Sequence, residues 1–188
     1  EWSRLCSGSA TRSSVMANKS TKISSSVSRF VAWELCENAN DRAETPPLSR
    51  TFECVAHSKF QKLRHCLLVL DSSPKATGSS EGHELAQTSI LQSLRLAQYP
   101  RRYASMLGAL AGGEFGKVAE TSETDAFEMH AVMATGAVPL QYMSSLTSAA
   151  LKTFVEERNR SSAEMFWTLD AGPNPHFLFD AEAASALA

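Results

Sequence analysis

The order of the predicted elements indicates an α+β fold in which helices pack on one face of an antiparallel sheet. Strand-like segments come first, three or four helical segments follow, and a strand pair closes the chain. Strands followed by a run of helices are typical of α+β domains rather than of alternating βαβ units. With 188 residues, of which 43% are hydrophobic and 20% charged, the chain can bury a core without disulfide bonds.

The predicted strands are short segments rich in β-branched and aromatic residues. They cover residues 27–35 (VSRFVAWEL), 51–57 (TFECVAH) and 64–70 (RHCLLVL). The continuous apolar character of the third predicts burial on both faces. The polar run over residues 36–50, which contains two adjacent prolines, predicts a surface loop.

Four helices are predicted from apolar residues at helical spacing and from glycine and proline at their ends. In order, they cover residues 80–96, from Pro100 to the pair Gly112 and Gly113, 115–133, and 146–158.

A hairpin is predicted after the helices. Its short strands, residues 166–169 and 176–179, are joined by the turn sequence DAGPN over residues 170–174. The turn directs the carboxylate of Asp170 outward, where it could accept a proton from a substrate hydroxyl. The alternative is an Asx turn, in which the carboxylate accepts a main-chain N–H two residues later.

Charge and cysteine usage exclude several function classes. Eighteen basic and 20 acidic residues give a net charge of −2, so no basic field for nucleic acid is expected. The longest apolar run, residues 66–70, is far shorter than the about 20 residues that span a bilayer. Four cysteines without a C-x-x-C pair indicate free thiols in a reducing cytoplasm, and five dispersed histidines predict no metal site built from protein ligands alone.

Two loops have residues suited to anion binding. Residues 7–12 (SGSATR) combine small residues, hydroxyls and a guanidinium, although a flexible serine-rich loop has the same composition. Residues 75–83 (KATGSSEGH) lead into a helix N-terminus, which binds anions through its free N–H groups. Helix capping by Ser79 or Ser80 is the alternative there.

In this order, several segments resemble the carboxyl-terminal half of the mevalonate diphosphate decarboxylases, a family of the GHMP kinase superfamily. They are SRLCSGSATRS (3–13), FVAWE (30–34), KATGSSEGH (75–83), F-x-M-H-A-x-M (127–133) and FWTLDAGPNPH (166–176). The resemblance implies a GHMP-type carboxyl-terminal domain over residues 30–188. A serine-rich substrate and phosphate region with an insertion is implied over residues 1–29, and a nucleotide-binding half before residue 1.

The resemblance also implies an activity. The family converts mevalonate 5-diphosphate to isopentenyl diphosphate with ATP and Mg²⁺, in the cytoplasm and commonly as a homodimer. Asp170 matches the catalytic aspartate that orients or deprotonates the tertiary hydroxyl, and Arg12 matches the arginine that holds the substrate carboxylate. Ser7, Ser9 and Ser79 match hydroxyls that line the substrate and phosphate site.

The sequence also departs from the family pattern. The glycine-rich nucleotide loop of the superfamily does not occur in these 188 residues, so the chain alone is expected not to turn over ATP. Two alternatives stay open: a sister enzyme that acts on mevalonate 5-phosphate or phosphorylates without decarboxylation, and a non-catalytic α+β module derived from the family.

Overall fold

Two antiparallel sheets and four α-helices occur in the computed structural model, which describes residues 31–35, 49–53, 56–73, 79–181 and 183. In chain order the elements are β1 (Val31–Leu35), β2 (Ser49–Glu53), a 3-10 helix (Ser58–Lys62), β3 (Leu63–Leu67), α1 (Ser79–Ala86), α2 (Gln92–Gly112), α3 (Phe115–Ala134), α4 (Ser145–Ser161), β4 (Met165–Leu169) and β5 (Pro175–Asp180). β1 pairs with β2, and the larger sheet has the order β3-β5-β4. The predicted α+β class is confirmed.

The core of the described domain lies where α2, α3 and α4 meet the larger sheet. One cluster packs the ends of α2 and α3 on β4, with Phe115 between Phe60 and Phe166 at ring-centroid distances of 5.7 and 5.5 Å. A second cluster packs α3 and α4 against Trp167 and Leu169. Aromatic rings at these separations bury a large apolar area in a defined geometry.

β4 is buried on both faces. Its neighbouring residues Phe166 and Trp167 point to opposite faces of the strand, yet both are buried and belong to different core clusters. α3 also covers the outer edge of the strand, because the Ser122 hydroxyl donates to the Trp167 carbonyl (3.2 Å) and the Trp167 N–H donates to the Glu123 carboxylate (3.4 Å).

β3 contradicts the prediction of burial on both faces. The strand covers Leu63–Leu67 rather than residues 64–70, and most of its side chains are exposed. Leu67 is 45% exposed, and Val69, just past the strand, is 58% exposed. β3 pairs only with β5 among the described strands, so its apolar run lies at the rim of the sheet.

α1 ends earlier than the predicted helix over residues 80–96. The Thr88 hydroxyl donates to the Leu85 carbonyl (2.6 Å), and the Leu91 N–H donates to the Ser89 hydroxyl (3.1 Å). These short polar side chains compete for the main-chain groups that would continue the helix. A new helix, α2, therefore begins at Gln92.

Pro100 was predicted to start a helix, but it lies inside α2. Its side chain is exposed, so the carbonyl that loses a main-chain donor faces water rather than the core. The predicted end of this helix is confirmed: Gly113 closes it with φ 71°, and a Cβ at that position would meet the His57 ring at 2.9 Å.

The amino-terminal strands differ from their predicted bounds. β1 is described from Val31, whereas β2 begins at Ser49, inside the predicted loop, and ends at Glu53. His57, predicted at a strand end, instead caps the 3-10 helix by accepting the Lys59 N–H (3.2 Å). The helices predicted over 115–133 and 146–158 and the closing hairpin are confirmed with slightly longer bounds. No helix in the described ranges is long and apolar enough to cross a membrane.

Candidate active site

Asp170 lies at the first position of the five-residue turn between β4 and β5, as predicted. Its side chain is 84% exposed, so the carboxylate projects from the protein surface. The next two residues, Ala171 and Gly172, are buried. The turn therefore combines a buried main chain with one outward carboxylate.

The turn is not the Asx turn considered as the alternative. The Gly172 N–H donates to the main-chain carbonyl of Asp170 (2.7 Å) rather than to its carboxylate. The same carbonyl accepts a hydrogen bond from His130 Nε2 (3.2 Å), which must carry the hydrogen because a carbonyl can only accept. The carboxylate is thereby left available to a ligand.

His130 anchors this turn from the last third of α3. The residue is 6% exposed, so its side chain packs in the interior. Burial lowers the pKa of His130 below its ordinary value, while hydrogen bonds to the carbonyls of Asp170 and Leu169 and the Asp170 charge oppose that shift. The neutral imidazole is thus the form that holds the turn.

The first turn of α4 holds the second half of the Asp170 turn, at Pro173. Thr147 is fully buried, and its hydroxyl donates to the Pro173 carbonyl (2.7 Å). Ser144 and Thr147 also form a reciprocal capping box at the helix N-terminus, in which the Thr147 N–H donates to the Ser144 hydroxyl (3.0 Å).

Asn174 ties the turn to the chain that leaves β3. Its side-chain oxygen accepts the N–H groups of Leu70 (2.8 Å) and Asp71 (3.0 Å), and its amide donates to the Asp71 carbonyl (2.8 Å). Three hydrogen bonds from one side chain fix the end of the hairpin against a segment more than 100 residues earlier. With His130 and Thr147, this amide holds the turn from three separate elements.

α1 is linked to the Asp170 turn through Tyr142. A Cβ on Gly82 would meet the Tyr142 hydroxyl oxygen at 2.7 Å, so the helix backbone lies directly on that side chain. The Tyr142 ring in turn packs edge-on against His130, with centroids 6.2 Å apart. α1 begins at Ser79, three residues before Gly82. The predicted helix start at the KATGSSEGH loop is therefore confirmed, and its first turn is joined by successive contacts to the Asp170 turn.

Three of the predicted site residues, Ser7, Ser9 and Arg12, lie outside the described residues. Their convergence with Asp170 stays a prediction, as do the domain bounds of residues 1–29 and 30–188. In the part of the chain that the structure describes, no group of three His, Cys, Asp or Glu side chains is placed to hold a metal ion.

The residues that support the Asp170 turn were not predicted from sequence. From the sequence alone, Thr147 is an ordinary helix residue and Asn174 is an ordinary turn residue. The available signal for Thr147 was Ser144 three residues before it, which is a capping spacing. Asn174 carried no local signal, because its partners are 103 and 104 residues away.

Comparison with known proteins identifies the family. Residues 65–188, more than half of the chain, match a model of the mevalonate 5-diphosphate decarboxylase C-terminal domain. The chain belongs to this family. The match includes the second half of β3, all four described α-helices and the Asp170 hairpin.

Individual relatives agree with this placement. The diphosphomevalonate decarboxylase of Saccharomyces cerevisiae is 28% identical over 162 residues, which cover 84% of this chain and 39% of the yeast protein. The structure of mevalonate pyrophosphate decarboxylase from Streptococcus pyogenes is 30% identical, with a TM-score of 0.62 over 67% of this chain and 40% of that chain. The chain thus spans about two fifths of the length of these relatives.

More distant structures share the fold. The mevalonate diphosphate decarboxylase from Enterococcus faecalis, solved in work on its mevalonate diphosphate mediated ATP binding, is 22% identical. Its TM-score is 0.63 over 74% of this chain and 41% of that chain. Another structure, at 21% identity and a TM-score of 0.67 over 74% of this chain and 42% of that chain, contains MVAPP, AMPPCP and magnesium.

Proposed function

We propose that this chain forms the carboxyl-terminal part of an enzyme that converts mevalonate 5-diphosphate to isopentenyl diphosphate with consumption of ATP. The observation that carries the proposal is the Asp170 carboxylate, 84% exposed on a turn whose main chain is fixed by His130, Thr147 and Asn174. A base on a rigid turn can be held at one position relative to a bound hydroxyl, which lowers the entropic part of the barrier.

Asp170 orients or deprotonates the tertiary hydroxyl that receives the phosphoryl group. An ionised carboxylate accepts hydrogen bonds only, so a substrate hydroxyl must donate to it. The Gly172 N–H, which would occupy the carboxylate in an Asx turn, is bonded to the main-chain carbonyl instead. This arrangement keeps the carboxylate free of the main chain of its own turn, so that an oxygen can accept the substrate hydroxyl.

The remaining site residues act on the charges of the substrate. Arg12 would hold the substrate carboxylate through its planar guanidinium, and Ser7, Ser9 and Ser79 would donate to the phosphates. The position of Ser79 at the start of α1 supports this assignment, because a helix N-terminus presents free N–H groups to an anion. We expect Arg12, Ser9 and Asp170 to meet in one cleft.

The described side chains fit Mg²⁺ bound mainly by the phosphates of ATP. Asp170 is a single exposed carboxylate, and Mg²⁺ is usually bound by phosphates with one or two carboxylates rather than by a cage of protein ligands. When bound, the nucleotide supplies the phosphoryl group and the metal neutralises charge on it. The enzyme is proposed to act in the cytoplasm, as a homodimer and without nucleic-acid or membrane partners.

The decisive experiment is steady-state kinetics of Asp170→Asn in the protein completed with a nucleotide-binding half. Loss of the base should lower kcat by about 10²–10⁴ with a much smaller change in KM. Asp71→Asn is the matched control, because Asp71 is also exposed in a turn at this end of the sheet and its carboxylate accepts the Ser73 N–H (2.8 Å). Near-normal kcat in a folded Asp170→Asn protein would refute the assignment.

The same assay tests which substrate is used and whether the 188-residue chain needs a nucleotide-binding half. Mevalonate 5-diphosphate should be turned over with release of CO₂, whereas preference for mevalonate 5-phosphate would indicate the sister enzyme. The 188-residue chain alone should release no ADP, because phosphoryl transfer depends on residues that cradle the nucleotide. Substrate-dependent ADP release by this chain would contradict that expectation.

A further inference from the structure

Among the described residues, Asp170 has an imidazole neighbour on the sheet, and that neighbour belongs to a pair of histidines. His176 Nε2 of β5 lies 3.7 Å from Asp170 Oδ2. His176 Nδ1, on the other side of the same ring, lies 2.9 Å from His65 Nε2 of β3. The two imidazole rings are parallel within 8°, with centroids 5.1 Å apart.

The carboxylate charge favours one tautomer of the histidine pair. At 3.7 Å the contact between His176 Nε2 and Asp170 Oδ2 is electrostatic rather than a hydrogen bond, and a negative carboxylate favours the tautomer whose hydrogen is on Nε2. A neutral His176 with that hydrogen has Nδ1 free to accept, and His65 Nε2–H is then the donor in the 2.9 Å contact. In this tautomer the donors point from His65 through His176 toward Asp170.

The same geometry excludes a shared metal ion. Asp170 and His65 lie next to opposite nitrogens of the His176 ring, so the three side chains cannot converge on one cation. The direct cross-strand neighbours of His176 are Leu67 on β3 and Thr168 on β4, neither of which titrates in the ordinary range. In the described part of β3, β4 and the turn after β4, Asp170 and His65 are thus the titratable groups beside this ring.

We propose that His176 is a positioning residue that orients the Asp170 carboxylate, and that His65 fixes the tautomer in which His176 can do so. This inference rests on the proposed catalytic role of Asp170. The carboxylate is otherwise free to rotate, and a neighbouring donor selects the rotamer in which one oxygen faces β5 and the other faces outward. Partial burial and the neighbouring His176 both lower the pKa of His65, which favours a neutral donor at neutral pH.

The direct test is long-range ¹H–¹⁵N NMR of the imidazole nitrogens in the 188-residue chain at neutral pH. His65 and His176 should both carry their hydrogen on Nε2, and Asp170→Asn should shift the His176 Nε2 resonance. His57→Gln is the matched control, because His57 caps the 3-10 helix and should leave both resonances unchanged. A His176 that carries its hydrogen on Nδ1 would overturn the proposal.

A titration adds a second readout. His176→Gln should raise the pKa of His65 toward its ordinary value, because it removes the neighbouring imidazole that contributes to lowering it. An unchanged His65 titration would contradict the contact.

The catalytic consequence is measured in the completed enzyme. His176→Val should lower kcat roughly two- to five-fold with KM nearly unchanged, the size expected for one exposed charge contact. His176→Gln keeps an amide donor toward Asp170 and should retain most of the rate. Equal rates for the Val and Gln variants would overturn the positioning role.

The two proposals fail in different ways. A completed wild-type protein that is inactive toward mevalonate 5-diphosphate would refute the proposed function, whereas the NMR spectra test the histidine pair independently of activity.

Discussion

The two outer strands of the larger sheet lie in opposite environments. β4 (MFWTL) is buried on both faces and along its edge, with Trp167 only 1% exposed. β3 (LRHCL) lies at the opposite rim, with Leu67 45% exposed. The difference comes from α3, which packs along β4 and bonds to its main chain through Ser122 and Glu123. Burial of a strand is thus decided by the elements that cover it as well as by its own hydrophobicity.

This comparison has a functional side. The covered strand leads into the Asp170 turn, so the candidate catalytic carboxylate extends from the most firmly held part of the sheet. The exposed strand contributes His65, whose role depends on access to β5 and not on burial. The following predictions test how far the two strands differ, from the largest expected effect to the smallest.

Truncation in β4 should be far more costly than in β3. Trp167→Ala removes a fully buried indole that packs edge-on against Phe127 (4.9 Å), and should lower the free energy of unfolding by about 3–5 kcal/mol. Leu67→Ala should cost less than about 1 kcal/mol, because the side chain is already half in water. Urea unfolding of both variants measures the difference, and equal losses would show that β3 is covered in solution.

Removal of the hydrogen bonds between the turn after β4 and the chain after β3 should have an intermediate effect on stability. Asn174→Ala removes three bonds to Leu70 and Asp71, and leaves two main-chain N–H groups without that acceptor. We expect a loss of about 1–3 kcal/mol and a lower kcat, because the Asp170 turn loses one of its three supports. Ser148→Ala, which removes only an exposed bond to its own helix, is the control for unfolding and for kinetics. An Asn174→Ala protein with normal stability and rate would contradict this role.

The sequence predicted well what local chemistry determines. α3, α4 and the hairpin follow from apolar spacing and from the DAGPN turn, and their predicted positions are confirmed. The exposure of β3 could not be predicted, because an apolar run does not show which elements will cover it. The early end of α1 depends on where the hydroxyls of Thr88 and Ser89 bond, which periodicity does not reveal.

The site was predictable in the same limited way. Asp170 and its outward direction were predicted from the turn, whereas the Asn174 clamp joins residues more than 100 positions apart and leaves no local pattern. The histidine pair likewise spans 111 positions and exists only because β3 and β5 are paired. Long-range pairing therefore supplied the parts of the site that local patterns did not.

Acidification should separate His130, on the helix that covers β4, from His65, on the exposed strand β3. The pKa of buried His130 is lowered, so below the ordinary value of 6.5 the unfolded chain binds a proton that the folded chain does not. Stability conferred by neutral His130 is therefore present above this pH and decreases as pH falls, by at most about 1.4 kcal/mol per pH unit.

The measurement is urea unfolding of wild type and variants at pH 7 and pH 5. His130→Gln should reduce the loss on acidification, since the amide can still donate to the Asp170 carbonyl without taking up a proton. The pKa of His65 is also lowered, so His65→Gln should change the acid loss in the same direction but by less, because His65 is exposed. A larger effect from His65 would contradict the assignment of His130 as the buried histidine and His65 as the exposed one.

The smallest effect on stability is expected at Cys66, the fourth residue of β3. Its thiol is free and exposed although its cross-strand partner, Phe177, contributes to the second core cluster, so this cluster does not extend over β3. Cys66→Ser should change the free energy of unfolding by no more than about 0.5 kcal/mol.

In the native protein, Cys66 should react with iodoacetamide without prior unfolding, as followed by peptide mass spectrometry. The matched control is Met165→Cys in the Cys66→Ser background, which puts a thiol at a buried position of β4 and should be labelled only after unfolding. Equal protection of the two thiols would mean that another part of the protein covers β3, and the contrast between the outer strands would then be lost.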